Sequence, residues 1–501
     1  MLQYAMNVEI ELKLKVPLSS LAGLHRHPLF KSAGRTARLV SVYFDTPELD
    51  LKSKGIALRL RKAGKSWIQT IKGGGGMLAG VHTRNEWEFP VARNALDFTK
   101  LEDPFLVDIF GNAEFRAKLE PVFMTEFTRK TIPVEFGGNL IEYCFDRGRV
   151  VSGEREEAIS EVELELKSGN PAALFEFALA LETAAPLFIE GRSKAERGYA
   201  LYLGGAFNSV KKAWIVELSR KMDTGEACRE IVRGCLEQIQ LNMQGFLDRE
   251  KDCEYLHQIR VGLRRMRSAF SIFSRHYGRD PFSVIVPELR WLGGELGPAR
   301  NWDVFAFETL PPISGAFPGQ YGLADLQEAV EQVREKNNLR ALEAVSSQRF
   351  QILLLNLGAA LCSTSWPRGN ALPVADFAEK ILERRYRSFA RGGRNIEKLS
   401  HPELHALRIS GKKLRYAAEF FSPLYPAHAS RIFLKAMAGI QDVLGAINDA
   451  ATTNHLVDEL SDIGGETRCL VRGWVGCDTG HRLSQAGLHW KAFRNIVPFW
   501  R

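Results

Sequence analysis

The 501-residue sequence predicts an α+β chain of more than one domain, strand-rich over about its first 205 residues and all-helical afterwards. Period-2 alternation at residues 8–14, 57–62 and 161–167 predicts strands, because a strand sends successive side chains to opposite faces. From about Trp214 onward the apolar spacing changes to the helical period. An apolar content of 45% is enough for more than one core.

The first strand places Glu9, Glu11 and Lys13 on one face and Val8, Ile10, Leu12 and Leu14 on the other. The second sets Arg59 and Arg61 against Leu58 and Leu60, and the late acidic strand carries Glu161, Glu163 and Glu165. Between them lie Gly-rich turns at 73–76 and 137–138 and a helical interruption near 94–115, and a second helical interruption near 171–185 follows them. The Gly73–Gly76 run precedes no helix start with a Lys-Ser/Thr pair, so it is expected to be a flexible strand connection and not a phosphate loop. The strand pattern ends near 204–209. The expected domains are therefore 1–205, a linker at 206–218, and 219–501.

Prolines at 281, 298, 311–312, 367, 402 and 423 mark expected breaks in the helical half. That half also repeats itself. Residues 256–267 (LHQIRVGLRRMR) are echoed at 404–415 (LHALRISGKKLR), and the later pair LGGELGPARNWD and IQDVLGAIND keeps the same offset of 148 residues. Equal offsets over two separated motifs predict duplicated helical units, about 219–365 and 366–501.

Composition narrows the function. The net charge of +8 points to a polyanionic partner, although 67 basic residues face 59 acidic ones, so the placement of charge matters more than its sum. Seven cysteines with no CxxC pair read as reduced and mostly buried thiols. Glu9 and Glu11 arrive too early for a signal peptide to be expected, and the longest apolar stretch, around 352–362, is far shorter than the ~20 residues of a membrane span. A cytoplasmic protein without a membrane partner is expected. GxxxxGK[ST], GxSxG and HExxH are all absent, which disfavours P-loop, α/β-hydrolase and zincin chemistry.

Solvated faces mix their charges, whereas here two strand rows are mainly acidic and one is wholly basic. Carboxylates in rows suit a hard cation such as Mg2+ or Mn2+, and Glu9, Glu11, Glu161 and Glu163 are the candidate ligands, with Glu165 continuing their face. Lys13, Arg59, Arg61, Lys72, Arg84, Arg129, Lys130, Lys194 and Arg197 are candidates for holding a phosphate chain. Phosphoryl transfer asks mainly for positioning and charge neutralisation, so this set is chemically sufficient. In the helical half, His257, Arg260, Arg264 and Arg267 fall within about 80° of one helix face. His405, Arg408, Lys412 and Arg415 repeat that stripe in register, with Arg265 and Lys413 beside them. If the two repeats pack together, the stripes would join into a track for a long polyanion. No base-stacking aromatics are interleaved with them, which disfavours nucleic acid.

The first 205 residues resemble the CYTH family of triphosphate tunnel metalloenzymes. The resemblance rests on Glu9-Ile10-Glu11-Leu12-Lys13, Tyr43-Phe44-Asp45-Thr46, Leu58-Arg59-Leu60-Arg61, Thr70-Ile71-Lys72-Gly73, Arg84-Asn85-Glu86-Trp87-Glu88, Asp146-Arg147-Gly148, residues 160–165, and Ser193-Lys194 with Arg197-Gly198-Tyr199. It implies a closed antiparallel barrel whose bore holds a triphosphate. It adds Asp146 to the metal set of Glu9, Glu11, Glu161, Glu163 and Glu165, and Glu86 to the substrate set. Glu9, Glu11, Lys13, Arg59 and Lys72 are then the expected catalytic residues. Inorganic, thiamine and RNA triphosphates and ATP cyclisation all occur in that family, so the substrate stays open at this point.

Residues 219–501 resemble the CHAD domain, built of two four-helix bundles and associated with inorganic polyphosphate. The departure is Asn301, where that family usually has Asp. Together the resemblances imply a triphosphatase with Mg2+ or Mn2+, inorganic triphosphate and long-chain polyphosphate as partners, and association with polyphosphate granules. A barrel that binds without catalysis is the non-enzymatic alternative.

Overall fold

The computed structural model describes residues 7–24, 26–30, 32–64, 66–205, 209–248, 252–461 and 463–501. It divides into two compact units, Met1–Asn208 with Gln351–Thr364, and Ser209–Phe350 with Ser365–Arg501.

Eight antiparallel strands form the first unit: β1 Asn7–Lys15, β2 Arg35–Asp45, β3 Ala57–Ala63, β4 Ser66–Leu78, β5 Val81–Val91, β6 Glu120–Phe136, β7 Asn139–Ser152 and β8 Arg155–Ser168. Their order β5-β4-β3-β2-β6-β7-β8-β1 closes through pairing of β1 with β5, and a two-residue β9, Phe188–Ile189, adds to β1. Closure pairs every strand on both sides. The alternation is turned inside out. Arg59 and Arg61 face the bore while Leu58 and Leu60 are buried outside it, because helices cover the outer wall.

Pro104–Phe110 sets Leu106, Ile109 and Phe110 against Leu58, Ile71 and Trp87, and is followed by a short helix, Ala113–Ala117. Two further helices are α1, Ala172–Leu181, and α2, Lys194–Leu203. The second packs Ala195 and Tyr199 against Phe123 and Phe127 of β6.

The glycine run at 73–76 is not the loose connection expected of it. β4 continues through it, with a register shift against β5 between Gly73 and Gly76. Gly75 has φ +82°, and a Cβ there would stand 1.7 Å from the Thr83 carbonyl oxygen, so the run forms a bulge that only glycine fits.

The second unit is helical: α3 Thr224–Leu247, α4 Glu254–Tyr277, α5 Ile285–Val304, α6 Leu323–Val345, the start of α7 Gln348–Cys362, α8 Val374–Gly392, α9 His401–Phe421, α10 Ala427–Glu459 and α11 Gly465–Arg494. α3 to α6 and α8 to α11 are the two sets of four, each consecutive pair in contact, and α4 meets α9 where the sets join. Trp302, Phe305 and Leu326 of the first set share a core with Leu456, Val457 and Val471 of the second.

Two expectations are corrected here. The helix α5 runs through Pro298, since the carbonyl four residues earlier belongs to Gly294, which can tilt away from the ring. Residues 351–364, expected inside the first helical repeat, belong to the first unit. Gln351 Oε1 accepts from Ile189 N at 3.0 Å, and Gly358 lies so close to Phe175 of α1 that a Cβ would stand 2.1 Å from the ring. The expected linker starts at 206–208, which lie outside the described residues. Of the seven cysteines, three are buried, and all are free thiols. No helix of the described residues is long and apolar enough to cross a membrane.

Candidate functional site

Strand register assembles the bore. Antiparallel pairing sets Arg129 opposite Asp146 and Asp146 opposite Glu161, making one rung across β6, β7 and β8. The adjacent rung pairs Lys13 with Glu163, and across β1 and β5 Glu9 stands opposite Arg84 and Glu11 opposite His82. Lys72 lies opposite Glu86 between β4 and β5. Directly opposed residues share a face, so these pairings turn separate sequence motifs into one charged lining. The cavity they enclose has a volume of about 260 Å3.

Three carboxylates, Asp146, Glu161 and Glu163, are buried and bring one oxygen each within 4.8 Å of one another. Lys194 reaches all three, at 2.7 Å from Asp146 and 2.9 Å from Glu163 and in close contact with Glu161. Arg129 clasps Asp146 with Nε and Nη2 at 2.7 and 2.6 Å and touches Glu163. Lys13 lies 2.6 Å from both Glu11 and Glu163. Burial alone would raise the Glu11 carboxyl, but the Lys13 ammonium overrides it and holds the group at about 2. Glu163 lies well below its ordinary range, since Lys13, Lys194 and Arg129 outweigh its burial. Glu9 is raised by burial and by the neighbouring Glu11, even though Lys72 contacts it. All-oxygen donors of this kind fit a hard divalent cation.

The remaining cations line the other wall. Arg59 reaches Tyr43 Oη and Glu86, each at 3.5 Å, and Lys72 reaches Glu86 at 3.1 Å. Arg84 pairs with Glu196 at 3.2 Å. Arg61 differs from all of these. Its Nε donates to Ser41 Oγ at 3.3 Å, and no carboxylate among the described residues pairs with it. Burial and the guanidinium groups of Arg59 and Arg129 push its pKa down to about 10.

The structure corrects part of the expected set. Lys130 follows Arg129 on β6 and so points to the opposite face, away from the bore. Arg197 is 1% exposed and lies beneath the carboxylate rung. It donates to Glu157 at 2.8 Å, Glu161 at 2.9 Å and the Ala158 carbonyl at 2.6 Å, so it fixes a ligand candidate and does not line the cavity. Glu165 lines the cavity but pairs with Lys167 at 2.6 Å, and Glu9 and Glu11 sit beside the three-carboxylate cluster without joining it.

Two features escaped the sequence reading. Helix α2 begins at Lys194 because Ser193 and Glu196 form a reciprocal capping box, which delivers the Lys194 ammonium to the cluster. The Ser-x-x-Glu spacing was the available signal. His82 is 2% exposed with neither ring nitrogen bonded. Burial first, then Lys13 and Arg84, depress it to about 4, so it is neutral. It shares the period-2 face of Arg84, Glu86 and Glu88.

In the helical unit the two stripes converge. Lys412 on α9 feels Arg408 of its own helix and Arg264 and Arg260 of α4, and burial with these charges brings it to about 7. Arg260 is lowered to about 10 by burial, Arg264 and Arg300, and His257 to about 4 by burial and Arg300. The Nε atoms of Arg260, Arg264 and Arg408 are buried without partners among the described residues. Arg408 lies 4.0 Å from Asp449, and His405 Nδ1 bonds Asn448 Oδ1 at 2.9 Å. Arg415 is engaged by Glu419 at 2.6 Å and Gln441 at 3.0 Å, and Arg267 is lowered by burial and Arg290. Arg265 is a correction: 2% exposed, it donates to Gln238 Oε1 at 2.8 Å and the Trp214 carbonyl at 3.0 Å, inside the bundle. Lys413 holds the matching position in the second repeat but is exposed.

The CYTH domain model matches residues 7–199 and the CHAD domain model residues 230–458. An inorganic triphosphatase of Haemophilus influenzae is 32% identical over 204 residues, 40% of this chain and 54% of that protein, so the match spans about half of the relative's length. An uncharacterised protein of Mycobacterium tuberculosis is 24% identical over 453 residues, 85% of this chain and 82% of its own. Among solved structures, the CHAD domain of the plant Ricinus communis is 29% identical with a TM-score of 0.51, over 58% of this chain and 98% of that one.

Proposed function

The chain joins a CYTH domain to a CHAD domain, and from this pairing and the bore we propose a metal-dependent inorganic triphosphatase that cleaves tripolyphosphate to pyrophosphate and phosphate and binds longer polyphosphate through its helical unit. The observation that carries the proposal is Arg61, a half-buried guanidinium with no carboxylate partner among the described residues and crowded by the charges of Arg59 and Arg129. An anion in the bore is the natural counter-charge for it. The Haemophilus influenzae relative, an inorganic triphosphatase, supports tripolyphosphate as that anion.

In this reading Lys13, Arg59, Arg61, Lys72, Arg84, Arg129 and Lys194 hold phosphate oxygens, and Glu86 orients Arg59 and Lys72. Asp146, Glu161 and Glu163 would hold Mg2+ or Mn2+, which supplies charge withdrawal from the phosphates. Lys194 and Arg129 rest on these carboxylates, so turning them toward phosphate frees ligand oxygens. Glu9 and Glu11 orient the attacking water, and Glu9 is the more basic of the two. The track of Arg260, Arg264, Arg408 and Lys412, flanked by His257 and His405, takes long chains and would keep the enzyme at cytoplasmic polyphosphate stores.

Initial phosphate release from tripolyphosphate, thiamine triphosphate and ATP, compared at equal concentration, tests the substrate. Tripolyphosphate should be turned over fastest. A preference for thiamine triphosphate, or formation of a cyclic nucleotide from ATP, would reassign the barrel.

A further inference from the structure

A second cavity, of about 520 Å3, lies in the helical unit among α3, α4, α5 and α6, and the basic track does not use it. Its walls are apolar at Phe246, Leu256, Leu339 and Leu342 and acidic at Asp252, Asp303, Glu331 and Glu335. Asp303 is 1% exposed. Its Oδ1 accepts from Arg334 at 3.3 Å and Asn338 at 3.4 Å, while its Oδ2 is buried with no hydrogen-bond partner among the described residues. A buried carboxylate oxygen left unpaired is costly unless a donor reaches it.

The charge around it is negative. Arg334 spends Nε and Nη2 on Glu331, at 2.8 and 2.5 Å, and Arg300 at the edge is engaged by Glu308 at 2.7 Å. Among the described residues, four lining carboxylates therefore face one lining guanidinium. Just beyond Asp303 the helix widens into a π-helical turn, Phe305–Thr309, a distortion that recurs at functional sites. That turn presents Phe307, 50% exposed, to the cavity, where its ring already lies 5.1 Å from the Arg334 guanidinium. A buried unpaired acceptor, an aromatic face and an apolar wall are the complement of one ligand class.

We propose that this cavity binds a small aliphatic ammonium ligand, with its head group donating to Asp303 Oδ2 and contacting the Phe307 ring, and its alkyl chain against Leu256 and Leu342. A second ammonium on the same chain would meet Glu331 and Glu335 at the rim. Among the described residues, the metal-type carboxylate cluster lies in the barrel and not here, which favours an organic cation over a bare ion.

Isothermal titration of the full chain with 1,4-diaminobutane tests it. One saturable site is expected, weakened roughly tenfold or more by Asp303→Asn, the loss of a charge-assisted hydrogen bond. Phe307→Ala, on a half-exposed side chain, should weaken binding about threefold or more through the lost cation–π contact. Should circular dichroism show that Asp303→Asn does not fold, Phe307→Ala and Glu335→Gln decide. No saturable heat at millimolar diamine, or an affinity that Phe307→Ala and Glu335→Gln leave unchanged, overturns the proposal.

Discussion

Arg61 and Arg197 show how differently two guanidinium groups of the barrel unit are employed. Arg197 donates one hydrogen bond each to Glu157, Glu161 and the Ala158 carbonyl, whereas Arg61 is crowded by Arg59 and Arg129. Arg197→Ala leaves Glu161 with a buried charge matched by Lys194 alone, and should lower stability by about 3 kcal/mol, read as a fall in Tm. Arg61→Gln removes a repulsion, so Tm should hold or rise while kcat/KM for tripolyphosphate falls about 10- to 100-fold. A drop in Tm for Arg61→Gln would mean that it serves the fold. The sequence made the rows of charge legible through strand parity, and it also held the signal that Lys130 and Arg129 face opposite ways. Arg197 and Arg265 were less readable. A basic residue that donates into a core and one that lines a cavity look alike until their partners are placed.

At the scale of elements, the duplicated helices α4 and α9 meet so that charge on one alters titration on the other. Lys412, brought to about 7 by burial, Arg408, Arg264 and Arg260, with Asp449 opposing, is depressed below its unfolded value. The unfolded chain therefore binds the extra proton between about 7 and 10.5, and this group adds stability as pH rises through that window. Polyanion binding has the opposite sign, because it needs the charged form. Polyphosphate affinity, measured by titration at fixed salt, should fall as pH rises through about 7, and Lys412→Arg should flatten that profile. A profile that stays steep in Lys412→Arg would place the titrating group elsewhere. The repeat was legible because its two motifs kept one offset. The bulge at Gly73–Gly76 and the passage of α5 through Pro298 were not, since each depends on what neighbouring backbone tolerates.

At the scale of the molecule, the two charge systems lie in separate compact units, a carboxylate-lined barrel bore and a basic helical track. Glu163→Gln should abolish tripolyphosphate hydrolysis while long-chain polyphosphate binding keeps its affinity and salt slope. Loss of both together would overturn the division of labour. The change from period 2 to the helical period made the two-part organisation readable. That 351–364 packs with the barrel was hidden, because helical periodicity reports which face is buried and not against what. If the bore hydrolyses tripolyphosphate with a divalent metal, phosphate release depends on that metal. Phosphate release from tripolyphosphate by the full chain, with Mg2+, with Mn2+ and with chelator, tests it most directly. Rapid release with metal and none with chelator is expected; release undiminished by chelator, or absent with both metals, would rule out a metal-dependent triphosphatase.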